Sequence, residues 1–149
     1  MSGNKAQLAV LERLRALELE QARVERNALD LAVARKRERL EATQVEIARA
    51  QGVLRDRVAS VAGMSAEALR QNTDYLGWQG QIGAEQEAAL TCARQLAEEA
   101  RLDVLKKHGQ LHAIGRLRER RRREAAVEIG RVVQGTLDEQ GLLRAWSRI

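Results

Sequence analysis

His108 and His112 stand four residues apart, a spacing that lets two imidazoles on one helical face share a metal ion. The intervening Gly109-Gln110-Leu111 lacks the glutamate of a metalloprotease motif, and no third ligand is evident nearby. The one thiol, Cys92, lies between Thr91 and Ala93 with only Arg94 as a basic neighbour. A nucleophilic cysteine wants a basic, exposed setting, so a small apolar seam residue is the simpler expectation for it. A single cysteine also excludes an intrachain disulfide. There is no glycine-rich phosphate loop ending in Lys-Ser or Lys-Thr, and no Gly-x-Ser-x-Gly elbow. Carboxylates are plentiful, but catalytic pairs need a cleft that desolvates them. These residues point to contact rather than catalysis, with no cofactor and no metal expected.

Recognition chemistry is better represented. The run Arg116-Leu117-Arg118-Glu119-Arg120-Arg121-Arg122-Arg123-Glu124 concentrates charge in a chain whose formal balance is +5 and which has only four lysines, Lys5, Lys36, Lys106 and Lys107. Guanidinium groups pair bidentately with carboxylates and phosphates. Four consecutive arginines on a helix point all the way round it, so this segment is expected to meet acidic groups from outside. Base stacking on nucleic acid would call for interleaved aromatics, which are missing here, and a charge of +5 spread along a long chain makes a weak field. Nucleic acid is therefore not the expected partner. A second unusual stretch, Tyr75 to Gly83, holds the only tyrosine, one of two tryptophans and three glycines. Tyr75, Trp78 and Ile82 follow 3,4 spacing on one face and suit an aromatic anchor for a partner; a thin part of a helix pair would account for the same glycines.

The elements that carry these residues follow from what is missing. The 149 residues contain no proline and no phenylalanine, and 32% are charged, so nothing interrupts a helix for long and the composition is that of long paired helices. The spacing predicts an all-α fold: a long two-helix antiparallel coiled-coil hairpin, helix one at about 5–61 and helix two at about 66–140, in a single elongated domain over 1–149. Gly63 and Ser65 mark the turn at 62–65, one as a left-handed helix stop and the other as a cap. On helix one the distal seam reads Leu40, Thr43, Ile47, Ala50, Leu54, Arg57 and Val61. The proximal seam reads Val10, Leu14, Leu17, Gln21, Val24, Ala28 and Leu31, with a register slip near Arg35. On helix two it reads Ile82, Gln86, Ala89, Ala93, Leu96, Ala100, Val104, Lys107, Leu111 and Ile114. Gln21, Thr43 and Gln86 are polar interruptions that can specify register. Gly130, Gly135 and Gly141 predict fraying toward the end, yet Val132, Val133, Leu137, Leu142, Leu143 and Trp146 leave apolar material there, so 135–149 is expected to be frayed or ordered by a partner. The first residues have no signal-peptide core and no window approaches a membrane span, which predicts a cytoplasmic protein.

The order of a long helix, a turn after about sixty residues, Tyr75-x-x-Trp78 early in helix two, and then Leu111-His112-Ala113-Ile114-Gly115-Arg116-Leu117-Arg118-Glu119-Arg120-Arg121 followed by Leu137-Asp138-Glu139 resembles the FliJ family of flagellar export proteins. The resemblance implies a non-catalytic component of the flagellar type III export apparatus, similar to the central stalk of rotary ATPases. It would sit in the cytoplasm and associate peripherally with the inner membrane at the export apparatus. Its implied partners are the hexameric export ATPase, the cytoplasmic domain of the export gate and the export chaperones. By position, Arg13, Arg15, Arg116, Arg118, Arg120, Arg121, Arg122 and Arg123 would contact the ATPase ring, and Tyr75, Trp78 and Ile82 the gate. Gln44, Ala48, Gln51 and Arg55 stand on helix one where the family tends to offer aromatics; Gln44 and Gln51 would then belong to the gate surface. The nearest alternative is the equivalent stalk of a virulence injectisome, similar to YscO. A basic coiled-coil scaffold or nucleic-acid-binding protein is the alternative of a different class.

Overall fold

A computed structural model describes residues 2–148. Two helices make up the described chain, α1 over Ser2–Ala59 and α2 over Ala66–Ser147, and they pack against each other antiparallel as a hairpin. There is no strand among the described residues.

The break between the helices is built by three short-range devices. Ser60 donates its backbone N–H and its hydroxyl to the Arg57 carbonyl, at 3.3 and 2.8 Å, tying down the end of α1. Gly63 turns the chain at φ +66°, where a side chain would crowd the backbone, and its N–H reaches the Ser60 carbonyl at 3.0 Å. Ser65 then caps α2, its hydroxyl oxygen accepting from the Ala68 N–H at 3.1 Å, with Glu67 in the positive first turn. The turn thus begins at Ser60 rather than 62. The helix bounds also move outward at the far ends: α1 begins at Ser2, and α2 continues to Ser147, seven residues past the expected stop. Gly130, Gly135 and Gly141 lie within regular helix.

Contacts divide the chain into two units, Gln21–Val104 and the combination of Met1–Glu20 with Leu105–Ile149. Within Gln21–Val104 the seam of α1 runs through Ala22, Arg26, Leu29, Val33, Lys36, Leu40, Thr43, Ile47, Ala50 and Leu54, all buried or half-buried. It meets Leu76, Gln79, Ile82, Gln86, Leu90, Ala93, Ala97, Ala100 and Val104 of α2. Arg57 and Val61, expected to end the distal seam, are exposed. Within the other unit Leu8, Glu12, Arg15 and Leu19 line α1, and Lys107, Leu111 and Ile114 line α2. Among the described residues Leu19, Ala22, Leu40, Leu90, Ala93, Ala100 and Val104 are the buried hydrophobics, and none is wholly enclosed, which is what a two-helix seam can cover.

This seam corrects the expected one. Steps of four and three continue from Leu54 back to Leu8 without interruption, so there is no slip near Arg35. Val10, Leu14, Leu17, Val24 and Leu31 are instead exposed, and so is Gln21. The physical reason is that a continuous heptad face cannot change sides without breaking the helix. Arg15, Arg26 and Lys36 are half-buried at seam positions, which long side chains tolerate because their aliphatic stems can be covered while the charged head stays solvated or hydrogen-bonded. Leu96 is likewise exposed, and Ala97 takes the seam position beside it. Cys92 is exposed as well, because Leu90 and Ala93 occupy the inward positions on either side of it. Thr43 is half-buried with its hydroxyl donating to the Arg39 carbonyl at 3.1 Å, and Gln86 Oε1 is buried without a hydrogen-bond partner among the described residues.

Candidate functional site

Two surfaces concentrate the residues singled out by their chemistry, one in each unit. The first is the arginine-rich stretch of α2. Arg118 donates across the helix pair to Glu12 at 2.7 Å, and Arg15 donates to Glu18 at 2.9 Å and to Gln110 Oε1 at 3.5 Å. These contacts place Arg15 and Arg118 against the opposite helix, partly occupied with holding it. The other charges serve α2 itself: Arg120 pairs with Glu124 at 3.2 Å, and Glu119 accepts from Arg122 at 2.9 Å and Arg123 at 3.3 Å. The hydrogen bond from Arg122, reinforced by the field of Arg122 and Arg123, holds the Glu119 carboxyl below the ordinary glutamate range. Arg13, Arg116 and Arg121 make no ion pair or side-chain hydrogen bond among the described residues. Six arginines stand against two glutamates over 116–124, so the segment keeps four positive charges after every internal pair is counted. The side chains of Arg120, Arg122 and Arg123 are more than three-quarters exposed. Such a surface can bind a carboxylate-rich partner through solvent-facing forks.

The same unit carries an unpaired helix end. In an antiparallel pair each step back along α1 is one step forward along α2, so the Glu12–Arg118 and Arg15–Gln110 contacts put Ser2 level with about residue 125 of α2. Every described residue after Arg120 is exposed. Ile129, Val133 and Leu143 face water at 65%, 52% and 70% exposure, alongside Val132, Leu137, Leu142 and Trp146. The stretch expected to be frayed or ordered by a partner, 135–149, is helical as far as Ser147.

The second surface lies within Gln21–Val104. Tyr75 and Trp78 meet about one turn apart, with ring centroids 6.3 Å apart and planes tilted by 48°. The Tyr75 hydroxyl donates to Glu46 Oε1 at 3.4 Å and accepts from Gln79 Nε2 at 3.1 Å, so the aromatic pair is tied to α1 by a residue that sequence spacing did not single out. Trp78 remains 57% exposed. Ile82 sits half-buried toward the seam, while Gln44 and Gln51 are exposed and make no side-chain hydrogen bond with the aromatic pair.

The remaining candidates stay apart. His108 and His112 are both exposed, and among the described residues no group of three His, Cys, Asp or Glu side chains could hold a metal ion. No described helix is long and apolar enough to cross a membrane. The grooves between the helices are shallow and open, one lined by Arg26, Asp30, Val33, Arg94, Glu98 and Arg101, the other by Glu12, Gly115, Arg118, Glu119 and Arg122. Arg101 grips Glu98 in the first through two hydrogen bonds of 2.9 and 2.6 Å, which lower the Glu98 pKa and raise that of Arg101. No protein-family model, curated protein or solved structure matches the chain.

Proposed function

We propose that this chain is a non-catalytic central-stalk component of a flagellar type III export apparatus, which binds and activates a hexameric export ATPase and links it to the export gate and export chaperones. The observation that carries the reading is the cationic end of a helical hairpin: a segment that keeps three positive charges once Glu119, Glu124 and the cross-helix Glu12 are counted, followed by about 22 helical residues that α1 does not cover. The layout that resembles the FliJ family supports the same reading. In this role the exposed guanidinium groups of Arg120 to Arg123, together with Arg13, Arg116 and Arg121, meet carboxylates lining the ring. A hairpin has no three-fold or six-fold symmetry, so its insertion into a symmetric ring gives the subunits different contacts and biases them toward different states. Tyr75 and Trp78 offer the separate anchor for the export gate, and contact with that gate would hold the chain peripherally at the inner membrane.

Steady-state ATP hydrolysis by a flagellar export ATPase, titrated with the full chain, tests the proposal. Stimulation is expected, together with a shift of the ATPase to a hexamer-sized complex in light scattering. Replacing Arg120 to Arg123 with Glu is expected to abolish stimulation while helicity stays intact, because all four lie outside the seam. Unchanged stimulation by that variant would overturn the assigned role of the arginines, and no stimulation by the unaltered chain would overturn the ATPase partnership itself. Running an injectisome ATPase in parallel separates the two export systems.

A further inference from the structure

Two exposed stripes are left open by the hairpin, one mostly apolar on α1 and one of mixed apolar and short polar residues on α2, and they share one spacing. On the outer side of α1, Val10, Leu14, Leu17, Gln21, Val24 and Ala28 follow steps of four, three, four, three and four. They lie on the side away from the filled seam, and Val10, Leu14, Leu17 and Val24 are 65%, 50%, 63% and 67% exposed. On the uncovered end of α2, Ile129, Val133, Thr136, Gln140, Leu143 and Ser147 follow the same steps and are all exposed. Aligned in parallel, the positions match one by one: Val10 with Ile129, Leu14 with Val133, Leu17 with Thr136, Gln21 with Gln140, Val24 with Leu143, and Ala28 with Ser147. The fourth layer pairs the single amide of one stripe with the single amide of the other.

We propose that two copies of this chain associate, the uncovered end of α2 in each copy lying parallel along the outer stripe of α1 in the other. A repeat of 3.5 residues is the signature of helices that supercoil around a partner, and one polar residue in such a seam sets register at a cost in stability. Here Gln21 and Gln140 fall in the same layer in the alignment that also sets Val10, Leu14 and Val24 against Ile129, Val133 and Leu143, while Leu17 and Ala28 meet the short side chains of Thr136 and Ser147. The two α2 ends cannot run in the same direction as each other and still face α1 stripes, so the pairing is reciprocal. Because each copy carries both stripes, a closed two-fold arrangement satisfies them together and leaves neither end free to propagate a filament. Flanking charges give one attraction, Glu20 with Arg144, and one repulsion, Glu25 with Glu139, so the apolar and amide layers decide the register. The association hides aliphatic surface that a lone chain would leave in water. It also accounts for the outward stripe being more apolar than the inward one, where Glu12, Arg15 and Arg26 sit.

Light scattering of the purified full chain across a concentration series tests the pairing without the ATPase, so its outcome is independent of the export reading. The expected mass is twice 16.7 kDa at high concentration and falls toward 16.7 kDa on dilution. Leu14→Glu alone and Val133→Arg alone are each expected to halve the mass at the concentration where the unaltered chain is dimeric, and the double variant is expected to restore it. Both positions are exposed, so circular dichroism of each variant should match that of the unaltered chain. In a Cys92→Ser background, Leu17→Cys with Thr136→Cys is expected to form a disulfide-linked dimer on oxidation, and either cysteine alone is not. A chain that stays at 16.7 kDa at every concentration, a dimer that survives Leu14→Glu, or crosslinking by Leu17→Cys alone would each overturn the proposal. The first of these would assign the stripes to a different protein, the third to α1 pairing with itself.

Discussion

Leu90 and Leu96 are the same residue type on the same helix, six positions apart, and the register of the hairpin assigns them opposite fates. Leu90 is 4% exposed in the seam, whereas Leu96, an expected seam residue, is 52% exposed. Truncating a buried leucine removes about 2–3 kcal/mol of transfer free energy, with a further cost if a cavity persists. A two-helix seam is open along both flanks, so the helices can close over the missing atoms and the cavity cost is small. Leu90→Ala is therefore expected to lower unfolding free energy by about 2.5 kcal/mol. At Leu96 roughly half of that burial exists to lose, and alanine returns a few tenths through its helix propensity, leaving about 0.5–1 kcal/mol. The assay is urea unfolding followed by far-ultraviolet circular dichroism, with both variants measured at one dilute protein concentration and the slopes compared as well as the midpoints. A gap of about 2 kcal/mol between the variants is the expected result. Equal losses, or a larger loss at Leu96, would refute the observed register and restore the seam read from spacing alone.

Other expectations follow from the turn and from the charged stretch of α2. Gly63→Ala places a side chain at φ +66° and should cost about 1–2 kcal/mol, with Gly63→Asn milder because asparagine tolerates that conformation; urea midpoints for the pair would show it, and an alanine as stable as glycine would contradict the turn geometry. Ser65→Ala removes the hydroxyl that accepts from the Ala68 N–H and should cost about 1 kcal/mol, read in the same assay, with Ser65→Asp restoring the cap. Glu119 should titrate below its ordinary value of 4.5 in an NMR pH series and move back toward it in Arg122→Gln. A depressed folded-state pKa means that the contribution is present above the unfolded value and is lost as pH falls through the folded one. The Arg122→Gln variant should therefore change stability least in acid, and an unshifted Glu119 would remove the hydrogen bond from the account.

Half of this fold could be read from residue types, and the failures have one cause. Leu40, Ile47 and Leu54 marked the distal seam because their helix offers no competing stripe there; the turn was readable because Gly63 and Ser65 act through local backbone geometry. The proximal half of α1 carries two stripes two positions apart, and the one facing inward is the more polar, with Glu12, Arg15, Arg26 and Lys36 among its members. Hydrophobicity alone selects the outward stripe. What decides the outcome is continuity with the distal seam together with the burial of aliphatic stems, which a residue-type reading scores as charge. Cys92 and Leu96 failed the same way, each adjacent to a residue that fits the heptad better. At the other end of α2, propensity is a local quantity, and Gly130, Gly135 and Gly141 lie within continuous helix.

The arginine-rich stretch was found from composition, but which arginines remain available was not. Arg118 and Arg15 reach groups that only the antiparallel pairing brings near, Glu12 and Gln110. Arg120, Arg122 and Arg123 find carboxylates three or four residues away, pairs that contribute only a few tenths of a kcal/mol each at an exposed helix surface. A partner's carboxylates could displace those local pairs at little cost, whereas displacing Arg118 from Glu12 would also release α1. The four arginines of 120–123, with Arg13 and Arg116, are thus the part of the charge that binding can use without opening the hairpin. Substituting Arg118 alone should loosen the end of α1 before it affects any partner, measurable as faster amide exchange over the first three turns of α1, which include Glu12. A variant that lost partner binding with unchanged exchange there would mean that Arg118, too, faces outward in function.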